Sequence, residues 1–133
     1  MAPVNLKFTQ THEWVGLDGS KARFGLSDFA IKEIKDIVYL DLPPAGTAVK
    51  AGTAFGAVET VKAAFDLNAP ISGKVVAINA AAVASADFVT KDPLGAGWLV
   101  EVEITDTSAT ANEMSALMDT TAYAAFCAKG GHH

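Results

Sequence analysis

Apolar and polar residues alternate along most of this chain, and the alternation breaks wherever glycine, proline or an Asp-Gly pair intervenes. Side-to-side alternation marks half-buried strands, whereas apolar positions three and four apart mark helices. Residues 8–15 read as a first strand, and Asp18-Gly19 as the hairpin turn leading into a second strand over Lys21–Leu26. Ser27 or Asp28 then caps a short helix with Ile31 and Ile34 on one side. Residues 37–42 predict a strand with Val38, Leu40 and Leu42 on one face. Pro43 and Pro44 end it, because neither can donate to a ladder.

Beyond Pro44 the pattern is punctuated by turns. Gly46 and Gly52 flank a short segment, and Pro70 and Gly73 flank another turn. Between these lies a predicted hairpin with Lys62 at its tip. Phe55, Ala57 and Glu59 take one face of the incoming strand, and Ala54, Gly56 and Val58 the other; Phe65 and Leu67 alternate with Asp66 and Asn68 on the way out. Residues 75–78 predict a strand, the alanine-rich residues 80–89 a short helix or turn, and residues 92–97 a loop. Trp98, Val100, Val102 and Ile104 then alternate with Leu99, Glu101 and Glu103. After Asp106 two short helices fit, one carrying Met114, Leu117 and Met118, the other starting at Asp119 or Thr120 and carrying Ala122, Tyr123 and Phe126. So many short strands suit a flattened barrel or sandwich better than a βαβ unit.

At 133 residues the chain is expected to form one domain, with a core over about residues 6–127 and a tail at 128–133. Half the residues are hydrophobic and 19% are charged, which predicts a globular protein. A net charge of −5 argues against a nucleic-acid surface and suits basic partners. The single cysteine, Cys127, allows no internal disulfide and fits a reducing compartment. No apolar run approaches the roughly 20 residues that span a bilayer, and residues 1–5 read as neither a signal nor a transit peptide. His132 and His133 read as a native end or part of a tag, with no metal role.

The chemistry-bearing residues are few. His12 has no assembled partners and reads as a polar edge-strand residue; Cys127 beside Phe126 reads as a packed thiol. A solvated strand face accounts for Glu101 and Glu103. There is no CxxC, no HxxxH, no acidic Ca²⁺ loop and no phosphate-cradling glycine motif. What stands out is Lys62, presented between Val61 and the small residues Ala63 and Ala64.

Glu59-Thr60-Val61-Lys62-Ala63, followed by Ala69-Pro70-Ile71-Ser72-Gly73-Lys74-Val75, resembles the lipoyl-attachment region of the glycine cleavage system H protein family. Thr11-His12-Glu13-Trp14-Val15, Gly25-Leu26-Ser27-Asp28-Phe29-Ala30, Val38-Tyr39-Leu40-Asp41-Leu42-Pro43 and Gly97-Trp98-Leu99 resemble further blocks of that family in order and spacing. The resemblance implies a mainly β, lipoyl-domain-like barrel-sandwich hybrid with a short helix in its N-terminal half and helices at its C-terminal end. It implies lipoate on Lys62 and a carrier, not an enzyme. Such a carrier takes an aminomethyl group from a pyridoxal-phosphate glycine decarboxylase to a tetrahydrofolate-dependent aminomethyltransferase, and presents its dithiol to dihydrolipoamide dehydrogenase. A lipoylating enzyme is a further implied partner, and a monomer is the implied state. The loaded arm is implied to meet Thr11, Glu13 and Asp66 in a cleft, where a carboxylate would attract a cationic amine.

Two departures stand out. Lys35 occupies a position where the family usually has glycine, and Phe65 replaces a usually small polar residue. The phrases Gly56-Ala57-Val58-Glu59 and Tyr123-Ala124-Ala125-Phe126-Cys127 resemble eukaryotic members, which points to the mitochondrial matrix, with the bacterial cytoplasm as the alternative. Among other swinging-arm modules, a lipoyl-relay protein is the alternative that the sequence leaves open. A biotin carrier would be expected to flank its lysine with methionines, and a dehydrogenase lipoyl domain would lack His12-Glu13-Trp14 and the terminal helices. A Schiff-base enzyme would need Lys62 desolvated in a pocket, the opposite of a hairpin tip.

Overall fold

The computed structural model describes residues 6–34 and 37–129. Lys35 and the tail histidines lie outside the described residues. The strands are β1 (Lys7–Phe8), β2 (Glu13–Asp18), β3 (Lys21–Leu26), β4 (Ile37–Asp41), β5 (Ala48–Val49), β6 (Ala54–Thr60), β7 (Ala64–Asn68), β8 (Gly73–Ile78) and β9 (Val100–Glu103). The helices are α1 (Asp28–Ile34), α2 (Ala80–Ala84), α3 (Asp87–Lys91), α4 (Thr107–Ser115) and α5 (Thr120–Ala128). One sheet runs β1-β2-β3-β9-β8-β5 and the other β4-β6-β7. All pairs are antiparallel, so short turns suffice to join neighbours. This is the mainly β sandwich with added short helices that the pattern predicts.

The core lies where the sheets face each other. Val15, Phe24, Val75 and Val102 from the larger sheet join Leu40, Val58 and Leu67 from the smaller in one buried cluster. Phe24 and Phe55 meet edge to face at 5.6 Å between centroids, linking β3 to β6. A second cluster forms around Trp14, which alternates with Val15 and so takes the opposite face of β2. There Phe8 and Tyr123 stack at 4.3 Å, with Phe29, Phe126 and the thiol of Cys127 packed around them. A side chain at Gly25 would come within 2.5 Å of the Trp14 indole, so glycine lets the ring lie flat on β3. The indole N–H donates to the carbonyl of Pro93 at 2.9 Å.

Strict alternation fails at four places, each for a local reason. The expected first strand is split: residues 9–12 form a turn between β1 and β2, closed by His12 N–H on the Thr9 carbonyl at 3.2 Å. In β4 the register shifts between Ile37 and Tyr39, so Val38 is 59% exposed and does not share the buried face of Leu40. A second shift between Ala54 and Gly56 brings Phe55 into the core alongside Val58. Leu99 precedes β9, donates to the Phe24 carbonyl at 2.8 Å and is fully buried, apart from the glutamates with which alternation groups it. Glu101 is no solvated carboxylate, since it accepts from Arg23 Nε at 3.2 Å. Residues 80–89 resolve into α2 and the start of α3, with Asn79 accepting from Ala82 N–H as the cap of α2.

Candidate functional site

Lys62 stands at the tip joining β6 to β7, and one side chain organises that tip. The Thr60 hydroxyl donates to the Ala63 carbonyl at 3.1 Å and accepts from the N–H groups of Lys62 and Ala63 at 3.3 and 3.1 Å. Thr60 N–H also donates to the Ala63 carbonyl at 2.8 Å. These bonds fix the turn backbone while Val61, Lys62, Ala63 and Ala64 all remain exposed. Among the described residues nothing engages the Lys62 ammonium: the ion pair is Arg23–Glu101, and no side-chain hydrogen bond ends on Lys62. A free amine on a rigid, small-residue tip is accessible to a modifying enzyme and leaves an attached group room to move. These residues fit covalent attachment of a lipoyl group.

Glu13 is the other centre of the site. It begins β2, is 1% exposed, and its carboxylate is wrapped by donors. Oε1 accepts from the Thr9 hydroxyl at 2.5 Å and from the Thr11 hydroxyl, while Oε2 accepts from Asn68 N–H at 3.0 Å. The last contact matters for architecture. Alternate residues of β7 turn their N–H groups away from β6, and Glu13 caps that outer edge at Asn68. Burial raises the Glu13 pKa above its ordinary 4.5, while the bonds from Thr11, Thr9 and Asn68 oppose the rise.

Of the expected arm contacts, the structure thus brings Thr11 and Glu13 together. Asp66 is exposed and shares a face of β7 with Asn68, two residues along, but no hydrogen bond ties it to them. Beside Thr11 opens a cleft of about 480 Å³, lined also by Phe8, Gly52, Asn68, Glu113 and Leu117. The Glu113 carboxylate is held by Ser72, through its N–H at 2.8 Å and its hydroxyl at 2.7 Å.

His12 is not an edge-strand residue. It lies in the turn with φ 75°, a left-handed backbone unusual for a side-chain-bearing residue. Its ring lies 4.6 Å from Phe29 and 5.9 Å from Phe126, and Nδ1 is 2.6 Å from the Tyr123 hydroxyl. That hydroxyl is also 2.5 Å from Ser27 Oγ, and burial raises the Tyr123 pKa. The network ties α5 and the start of α1 to the turn that delivers Thr11 and Glu13. Sequence reasoning missed Thr9, Thr60 and Asn68. Reading residues 8–15 as one strand hid the turn, and with it the reason for a hydroxyl at Thr9.

Among the described residues no helix is long and apolar enough to cross a membrane. A family model described as Glycine cleavage H-protein matches residues 6–130. The chain belongs to the glycine cleavage H-protein family. It is 45% identical over 92% of its length to the protein named Glycine cleavage system H protein 2, mitochondrial, of Arabidopsis thaliana, covering 76% of that protein. It is 46% identical over 80% of its length to the glycine cleavage system H protein of Carboxydothermus hydrogenoformans, covering 82% of it. The crystal structure of a glycine cleavage system H protein from Mycobacterium marinum matches with a TM-score of 0.82 at 33% identity, over 95% of this chain and 98% of that one. That likeness extends the family assignment to the arrangement of the two sheets.

Proposed function

We propose that this H-protein family member is the lipoyl-bearing shuttle of glycine cleavage, a carrier and not an enzyme, with lipoate joined by an amide to Lys62. The observation that carries this reading is the unengaged Lys62 amine on a tip immobilised by Thr60. Lipoate bound there would supply a redox-active disulfide on a flexible tether. The protein contributes position and shelter. The Thr11 hydroxyl directs its proton to Glu13, so its two lone pairs, one of them facing Asn68 Nδ2 at 3.5 Å, are left to accept, which suits an ammonium, a group that only donates. Glu13 therefore acts from behind Thr11, while Asp66 offers an exposed carboxylate on the β7 face it shares with Asn68. The same reading assigns Thr11, Glu13 and Asp66 to the loaded arm.

The partners that go with this function are glycine decarboxylase, aminomethyltransferase, dihydrolipoamide dehydrogenase and a lipoylating enzyme, each meeting a monomer. The compartment we favour is the mitochondrial matrix, on the eukaryote-like stretches around Ala57 and Tyr123; mitochondrial and bacterial relatives are equally similar, so cell fractionation decides it. The function is tested by reconstitution. Lipoylated protein mixed with the three glycine-cleavage enzymes should support glycine-dependent CO₂ release, and Lys62→Arg should support none. A lipoylated wild-type protein inert in that mixture, yet able to pass its lipoyl group to another enzyme, would replace the shuttle with a lipoyl relay.

A further inference from the structure

Phe65 is 45% exposed although its register points it inward. It stands opposite Val58, and Val58 opposite Leu40, both of them buried in the core. A row that begins in the core thus ends in a half-open ring on β7, the outer strand of its sheet. Among the described residues no other ring covers it. The neighbouring tip adds Val61, which is 76% exposed, and exposed Ala63. Asp66 follows Phe65 in the same strand and so points to the opposite face. The outer edge of β7 therefore separates an apolar surface from a carboxylate-bearing one, and both lie within a few residues of Lys62.

We propose that the Phe65 ring is an apolar seat for the hydrocarbon part of the lipoyl group on Lys62, occupied when the arm carries no amine. This rests on lipoylation of Lys62. Tethering makes the encounter intramolecular, so a single ring suffices where free lipoate would not bind. A cationic amine at the arm's end is disfavoured on the apolar face and attracted to the Thr11–Asp66 face, so loading moves the population across the strand edge. Phe65 thereby gives this chain a resting place that a small polar residue at this position could not provide.

The test uses the full chain lipoylated on Lys62, without partner enzymes. Nuclear Overhauser contacts should join the Phe65 ring to arm methylene protons. Reduction of the disulfide by a water-soluble phosphine should be roughly threefold faster in Phe65→Ser, the scale expected for exposing about one methylene. Phe65→Leu should stay near the wild type, and so should Phe88→Ser, which alters a similarly exposed ring on α3. Absence of those contacts in the wild type, or equal reduction rates for Phe65→Ser and the wild type, would overturn the seat while leaving the carrier intact. Absence of lipoate on Lys62 after treatment with a lipoylating enzyme would overturn the seat together with the reading beneath it.

Discussion

On the six-stranded sheet Arg23 Nε meets Glu101 at 3.2 Å, and its guanidinium lies 4.5 Å over the Trp98 ring. On the three-stranded sheet Asp41 and Asp66 flank Ala57 in one row, and Glu59 lies on the same face, yet among the described residues none of the three has a cation. The apolar groups divide the same way. Among the described residues, four of the eight exposed large hydrophobic side chains, Val38, Tyr39, Val61 and Phe65, belong to the smaller sheet or its tip, although it has three of the nine strands described. The larger sheet pairs one of its carboxylates with its own arginine and supplies more of the buried core. The other leaves carboxylates, aromatic surface and a lysine open to other molecules. Substitutions in the first should therefore cost stability, and substitutions in the second should cost chemistry.

The sharpest break in that contrast would come from Trp14. Trp14→Ala should destabilise the protein by about 3–5 kcal/mol in denaturant unfolding, through the cavity it leaves and the orphaned Pro93 carbonyl. An effect below about 1 kcal/mol would show that the second cluster is not part of the frame. Glu13 joins the two regions and should rank next. Glu13→Ala leaves the Thr9 and Thr11 hydroxyls and Asn68 N–H without their acceptor, a loss of about 2–3 kcal/mol. Glu13→Gln should cost less and should reveal the sign of the buried charge. Because burial raises the folded pKa above 4.5, the folded chain holds a proton that the unfolded chain has already released in that interval. The stability from this group is complete below 4.5 and falls as pH rises through the folded value. Glu13→Gln, which does not titrate, should gain on the wild type across that window, and a pH-independent difference would contradict the assignment.

The turn chemistry carries the next effect. Thr60→Val removes the hydroxyl that holds the tip and should cost about 1 kcal/mol while slowing lipoylation, with Thr60→Ser restoring both. Smallest in stability is Lys62→Arg, expected within about 0.5 kcal/mol of the wild type because nothing in the fold engages that ammonium. Its carrier activity should nonetheless vanish.

What could be read from the chain divides along the same line. Strands with one buried face, such as β3, were legible because period-two patterning and burial agree. The tip carrying Lys62 was legible because the alternation on either side of it agrees with the pairing of β6 and β7. Val38, Phe55 and Leu99 were misplaced because register shifts and loop packing, which leave no periodic trace, decide their faces. The alternation places His12 in a strand, because nothing local announces a left-handed turn at a histidine. Its conformation is held by Tyr123, 111 residues away. Thr9 stays hidden because its bond to Glu13 belongs to the turn over residues 9–12, and Asn68 because its role exists only once β2 has met the edge of β7.

The measurement that bears most directly on the account is the mass of the protein after incubation with a lipoylating enzyme, lipoate and ATP, followed by peptide mapping. The account predicts one added lipoyl group, located on the peptide containing Lys62, and none in Lys62→Arg. Lipoate on Lys50, Lys74 or any other lysine, or no modification of a correctly folded wild-type chain, would contradict it.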